Sequence, residues 1–146
     1  MNQYISDAQF GDVQNLLGTE LYNDLIRNST STAYKSLLNG GNYTYNNKTY
    51  TNVGLKAVIV FYAYSRYVLF GSNVDTPFGH VVKTNPNSQP SDYMQKKAIA
   101  KSNEQMAFKY WESVRDFIER NKTDYPLWES DCLENRVTSV RISKIE

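Results

Sequence analysis

His80 and Cys132 are the single histidine and the single cysteine of the chain. A thiolate nucleophile needs an imidazole or another base within hydrogen-bonding reach, so these two would have to form any Cys/His pair. Roughly fifty residues separate them, and neither has a local signature around it. Zinc takes three or four nitrogen or sulfur ligands, more than the chain can offer, and its carboxylates are scattered rather than grouped as an oxygen cage. Gly40, Gly41, Gly54, Gly71 and Gly79 follow neither the phosphate-loop nor the dinucleotide spacing. The expectation is no catalytic residue, no metal and no cofactor, which makes an enzyme the weakest of three functional readings.

Binding chemistry is the next possibility. Lys and Arg total 16 against 15 Asp and Glu, so no global field draws the chain to nucleic acid or an anionic membrane. Lys96, Lys97 and Lys101 share part of one helical face, but Glu104, Glu112, Asp116 and Glu119 follow on the same segment, which favours a solvated surface over a phosphate contact. Twelve Tyr and two Trp suit surfaces that are half buried and half wet, as at protein interfaces. The longest apolar stretch, Val58 to Phe70, is broken by Ser65 and Arg66 and falls short of the ~20 residues a bilayer requires. The opening MNQYISDAQF has neither the basic start nor the apolar run of a secretory signal. Folding in a reducing cytoplasm is expected.

The elements that must carry these residues are mostly helical. Ser6 and Gln9 have capping-box spacing, and Phe10, Val13, Leu16 and Leu17 recur on one face until Gly18. Thr19 restarts the pattern as an N-cap before Leu21, Tyr22, Leu25 and Ile26. Ala33, Tyr34, Leu37 and Leu38 predict a further short helix, ended by Gly40 and Gly41. From Asn42 to Thr51 the period changes to alternation, with Tyr and Thr on either side of Asn46-Asn47, the pattern of a β-hairpin. Such a hairpin is marginal alone, so it must lean on the helices or on another subunit.

Gly54 to Phe70 is apolar on nearly every side, as in a helix at the centre of a bundle or between subunits. Leu55, Val58, Ile59 and Tyr62 fit a core better than an interface. Gly71 to Ser91, with three prolines and two glycines, predicts a loop of about twenty residues, long enough to imply a purpose. Ser91 then caps a long helix to about Asn121, with Ile99, Met106, Tyr110, Val114, Phe117 and Ile118 as its apolar stripe. After the aromatic turn Tyr125-Pro126-Leu127-Trp128, residues 135–146 form a tail in which Val140 and Ile142, two apart, predict a C-terminal strand. The expected fold is a single mainly α domain spanning 1–146, a helical bundle of two long and two or three short helices with a small β-hairpin and a C-terminal strand.

Two local patterns are specific enough to compare. They are Gly54-Leu55-Lys56-Ala57-x-x-x-Phe61-Tyr62-Ala63-Tyr64-x-Arg66-Tyr67 and Asp75-Thr76-Pro77-Phe78-Gly79-x-Val81-x-Lys83. With the Leu17-Gly18-Thr19-Glu20-Leu21-Tyr22 opening and the Tyr125 to Trp128 ending, their order resembles head-to-tail connector proteins of tailed phages, especially ring proteins of crAss-like phages. The likeness covers nearly the whole chain, and none of the patterns is catalytic. It implies a structural virion protein, assembled in the host cytoplasm and located in the neck. Such an adaptor forms a homo-oligomeric ring of typically about twelve copies. It binds the portal protein on one side and other neck or tail proteins on the other, and genomic DNA passes through its lumen without sequence-specific binding.

The residues themselves ask for neighbours in three places. Tyr43, Tyr45 and Tyr50 in the hairpin, Thr76, Pro77, Phe78, Val81 and Val82 in the loop, and Val140 and Ile142 in the tail are apolar or strand-forming groups the chain alone has little means to satisfy. They are the expected interface residues. The competing reading is a small helical DNA-binding or regulatory domain, which strong salt dependence of duplex binding would distinguish.

Overall fold

A computed structural model describes residues 2–71, 73–76, 79–82 and 92–129, with side chains described in 2–71 and 92–129. The order is α1 (Asn2–Ala8), a π-helical segment (Gln9–Val13), α2 (Gln14–Leu17), α3 (Thr19–Asn28), α4 (Thr32–Asn39), β1 (Gly41–Tyr45), β2 (Lys48–Asn52), α5 (Leu55–Phe70), β3 (Asn73–Thr76), β4 (Gly79–Val82) and α6 (Tyr93–Arg120). The chain is mainly helical with a small antiparallel hairpin, as the periodicity predicts.

Helix α5 runs through the middle. Its buried residues Leu55, Val58, Ile59 and Ala63 meet Leu16, Leu17, Leu21 and Leu37 from the short helices and Trp111, Val114 and Ile118 from α6 in one core. Tyr62 is packed against that core and half-buried. Small residues let α6 approach α5 closely, since Ala100 and Ala107 lie on the same buried line as Trp111, Val114 and Ile118. That corrects the expected stripe: Ile99 and Met106 are exposed at 44% and 37%. Val114, Phe117 and Ile118 are buried as expected, while earlier in the helix the buried positions are Ala100, Ala107 and Trp111.

The N-terminal helix also differs from expectation. It starts at Asn2, so Ser6 is not a cap but an interior residue whose hydroxyl donates to Asn2 O at 3.2 Å. Thr19 is the first residue of α3, and Gly18, at φ 80°, takes the flanking position before it. Ser31 caps α4, accepting from Tyr34 N at 3.3 Å.

The β1–β2 hairpin pairs Tyr43 with Tyr50 and turns at Asn46 and Asn47, whose φ values of 50° and 59° suit the short amide side chains. Its two ends are held where α4 stops and α5 starts. Gly40 (φ 76°) and Gly54 (φ 84°) touch backbone to backbone there, and a Cβ on Gly54 would fall 2.6 Å from Asn39 C. Buried Asn52 locks the junction, donating to Ser36 O at 3.1 Å and accepting from Gly54 N at 3.0 Å.

Residues 73–82 correct the loop expectation for Gly71 to Ser91. Asn73–Thr76 and Gly79–Val82 pair antiparallel, Val74 opposite Val81 and Asp75 opposite His80, so the β-branched residues on either side of Pro77-Phe78 form a second hairpin. Pro77, Phe78, Ser91, Cys132, Val140 and Ile142 lie outside the described residues, and the expected C-terminal strand with them.

Candidate functional site

Three surfaces bring reactive or adhesive side chains together. The first is an open groove of about 1130 Å³ between the π-helical segment, α5 and α6. Asp12 pairs with Arg66 across it, and the Arg66 guanidinium packs over Gly11, where an added Cβ would lie 3.4 Å from Nη2. The hydrogen bond to Asp12 raises the Arg66 pKa further, holding the charge in place. Beneath it, buried Ser65 donates to Glu104 Oε1 at 3.0 Å. Tyr62 titrates above the usual phenol range because it is desolvated and faces Asp12 and Glu104. This arrangement ties three elements together electrostatically. Within it Arg66 is matched to Asp12 and Ser65 to Glu104.

The second surface is the hairpin. The expectation that its tyrosines lack partners within the chain is corrected here. Arg120, at the end of α6, stacks its guanidinium 4.0 Å from the Tyr50 ring centroid and 5.7 Å from that of Tyr45, and it donates to Tyr43 Oη at 2.7 Å. Tyr43 also meets Phe117 edge-on, centroids 4.9 Å apart, and stacks with Tyr50 at 5.7 Å. The hairpin leans on its own helix. The i,i+4 spacing of Asp116 and Arg120 was readable in the sequence, but the approach of Arg120 to residues seventy or more positions away was not.

The third surface is the outer side of α5. Val60, Tyr64, Tyr67 and Phe70 recur at helical spacing and are exposed at 59%, 42%, 45% and 55%. Tyr67 touches Tyr64 and Tyr4 by ring contacts and leaves the rest of the stripe open. Tyr93 and Met94, in the first turn of α6, are exposed as well. Such a contiguous apolar strip is what distinguishes an interaction face from singly scattered apolar residues.

Among the expected interface residues, Thr76, Val81 and Val82 fall in the second hairpin. His80 sits in β4, opposite Asp75. Among the described residues no three His, Cys, Asp or Glu side chains come together as a metal site, and no helix is long and apolar enough to cross a membrane.

A family model described as a family of unknown function, DUF6712, matches residues 13–136. The chain belongs to this family. Its matched span runs from the end of the π-helical segment to beyond α6, so the central helix pair, the first hairpin and the aromatic turn lie inside it. No curated protein and no solved structure matches the chain.

Proposed function

We propose that this DUF6712 member is a structural virion protein, a head-to-tail connector subunit that forms a ring joining the portal to the neck or tail of a tailed phage. The observation that carries the reading is the exposed strip Val60, Tyr64, Tyr67 and Phe70 on a helix whose Leu55, Val58, Ile59 and Ala63 lie in the core. An aromatic anchor buried at an interface contributes about 2 kcal/mol or more, and a ring repeats that gain at each joint. The sequence resemblance supplies the identity of the assembly. The near-neutral charge agrees with a subunit that surrounds DNA without gripping it.

The remaining expected contacts, Thr76, Pro77, Phe78, Val81 and Val82 in the loop and Val140 and Ile142 in the tail, are proposed as the reach toward the portal or the next neck protein. Electron microscopy of purified particles tests the reading. The expected result is a ring of this chain at the neck; a chain that is missing from particles, or sits elsewhere in them, rejects it.

A DNA-binding reading has one observation in its favour, the exposed Lys97, Lys101 and Lys109 on α6. Under that reading, duplex affinity in the isolated protein survives about 150 mM salt and falls steeply above it. A connector shows little duplex binding under the same conditions.

A further inference from the structure

The two hairpins sit at opposite ends of α5. The first leads into its start at Leu55, and the second begins at Asn73, just past its end at Phe70. Between them α5 runs 16 residues, about 24 Å at 1.5 Å per residue. Each hairpin is a separate two-stranded sheet with no third strand among the described residues, a form that is marginal in water by itself. In the first, Asn46 and Asn47 both have positive φ, the two-residue turn that closes on a hydrogen-bonded pair. Tyr45 with Lys48, Tyr43 with Tyr50 and Gly41 with Asn52 therefore exchange the ladder bonds. The main-chain groups of the residues between them point outward, Thr49 and Thr51 to one side, Asn42 and Thr44 to the other. The β2 side is covered: it lies against α6, where Ser113 Oγ donates to Thr51 O at 3.2 Å. The β1 side is open, with no main-chain partner for Asn42 or Thr44 among the described residues. Solvent-facing edges commonly carry a charge or a proline, and Gly41–Tyr45 has neither. Beside it a cavity of about 490 Å³, walled by Ala33, Ser36, Asn42, Tyr43, Phe117 and Tyr125, leaves room for side chains of an added strand. In the second hairpin, β4 is likewise free of charge and proline, whereas β3 carries Asp75.

We propose that the open edge of β1 receives β4 from a second copy of this chain, so that each joint between copies is one four-stranded sheet. This rests on the ring-subunit reading above and names the strands that make the ring. One molecule does not make the pairing with itself, because α5 holds its hairpins apart and they stand as two sheets. The two edges are unlike and lie at opposite ends, so the contact is heterologous. Each added copy presents a fresh edge of either kind, and the series closes when the rotation per copy divides a full turn. Main-chain hydrogen bonds hold the joint, as in strand addition to any exposed sheet edge, and the cavity beside β1 takes alternate side chains. Pairing through the main chain leaves the connection at Pro77 and Phe78 for the portal or another neck protein. A twofold pairing of β1 with β1 would use the same edge, but it leaves the second hairpin a bare two-stranded sheet.

Sedimentation velocity on the full chain carrying Thr44→Pro tests the edge. The Thr44 N–H takes no part in the ladder, so proline there keeps the hairpin's own bonds and blocks a third strand. Circular dichroism and the urea midpoint should stay near the parent's while association weakens at least ~10-fold. Thr49→Pro, the same change on the opposite edge, should associate like the parent. A short bismaleimide reagent then maps the joint in a Cys132→Ser background. Thr44→Cys mixed with Val82→Cys should give a crosslinked dimer of unlike variants, and either alone should give none. Parent-like association of Thr44→Pro, or no crosslink in the mixture, overturns the proposed joint. Crosslinking of Thr44→Cys to itself overturns it in favour of a twofold pairing of β1 strands. Loss of association on deleting residues 137–146, with no crosslink between positions 44 and 82, overturns it and gives the edge to the C-terminal segment. Should Thr44→Pro unfold, the crosslinks decide alone. Particle microscopy judges the ring reading separately, so a ring built on other surfaces is told apart from no ring at all.

Discussion

Replacing Phe117 by Ala should detach the first hairpin from the core. Phe117 is 7% exposed, and its ring meets Tyr43 at 4.9 Å and Tyr125 at 5.9 Å, both edge-on. Through Tyr43 it braces the hairpin, and through Tyr125 it braces the turn whose hydroxyl donates to Ala33 O at 2.7 Å. Truncating a buried Phe costs about 3–5 kcal/mol from lost transfer energy and the cavity left behind. Edge-on aromatic pairs account for about 0.5–1.5 kcal/mol each beyond area. Against a typical total of about 5–15 kcal/mol, the variant should stay folded at low temperature with its melting point lowered by roughly 10 °C or more. Urea unfolding followed by circular dichroism measures the loss. A double-mutant cycle with Tyr43→Ala isolates the ring contact, with an expected coupling of about 0.5–1.5 kcal/mol. A loss under about 1 kcal/mol, or no coupling to Tyr43, would refute the claim that this ring joins the hairpin to α6.

Changing Tyr64 and Tyr67 together to Ser should cost no more than about 1–2 kcal/mol in urea stability, since both residues are a little under half exposed, yet abolish incorporation into particles; normal incorporation in virion gels removes the α5 strip from the interface. Gly40→Ala should destabilise by about 1–3 kcal/mol or more, because φ is 76° and the new methyl overlaps Asn52 O, whereas Gly41→Ala meets nothing within 4 Å and suffers only its backbone conformation; equal urea midpoints for the two count against the close approach. Tyr34, desolvated and donating to Asp24, and Tyr125, desolvated, both titrate far above the ordinary phenol value near 10. A raised folded-state pKa favours the protonated form, so this stability is complete below about pH 10 and is lost as pH rises further. Tyr34→Phe should therefore flatten the alkaline decline of the melting temperature; an unchanged slope from pH 9 to 11 denies Tyr34 that role.

Helix type and extent were legible wherever apolar spacing was regular. Leu55, Val58 and Ile59 read as core and are core, and the Asn46-Asn47 turn read as a hairpin and is one. Signals failed where bulk and placement part company. Ala100 and Ala107 carry little apolar weight in a sequence, yet they let α6 close on α5, which pushes Ile99 and Met106 outward. Thr19 has the side chain of a cap, but Gly18 already provides the turn at φ 80°. Proline and glycine at positions 71 to 91 pointed to loop, while Val74 and Val81 pair across a second hairpin. For the candidate surfaces, residue types were visible and partners were not: nothing near Arg120 in sequence announces Tyr43, Tyr45 and Tyr50.

The π-helical segment at Gln9–Val13 sets the phase of the N-terminus. A π turn holds one more residue than an α turn, so side chains before it are rotated about the axis relative to those after it by roughly 100°, the angle one α-helical residue subtends. That offset lets Asp12 reach Arg66 while Tyr4 meets Tyr67 one stretch earlier and Phe10 points to solvent. Deleting a single residue there would return the helix to uniform winding without breaking it. It would turn the Tyr4 face about a quarter of the way around, exchanging which residues α1 offers to α5 and which it offers outward. The bulge thus acts as a mechanical index mark: the length of this one segment, more than the identity of any side chain in it, decides which edge the first helix presents.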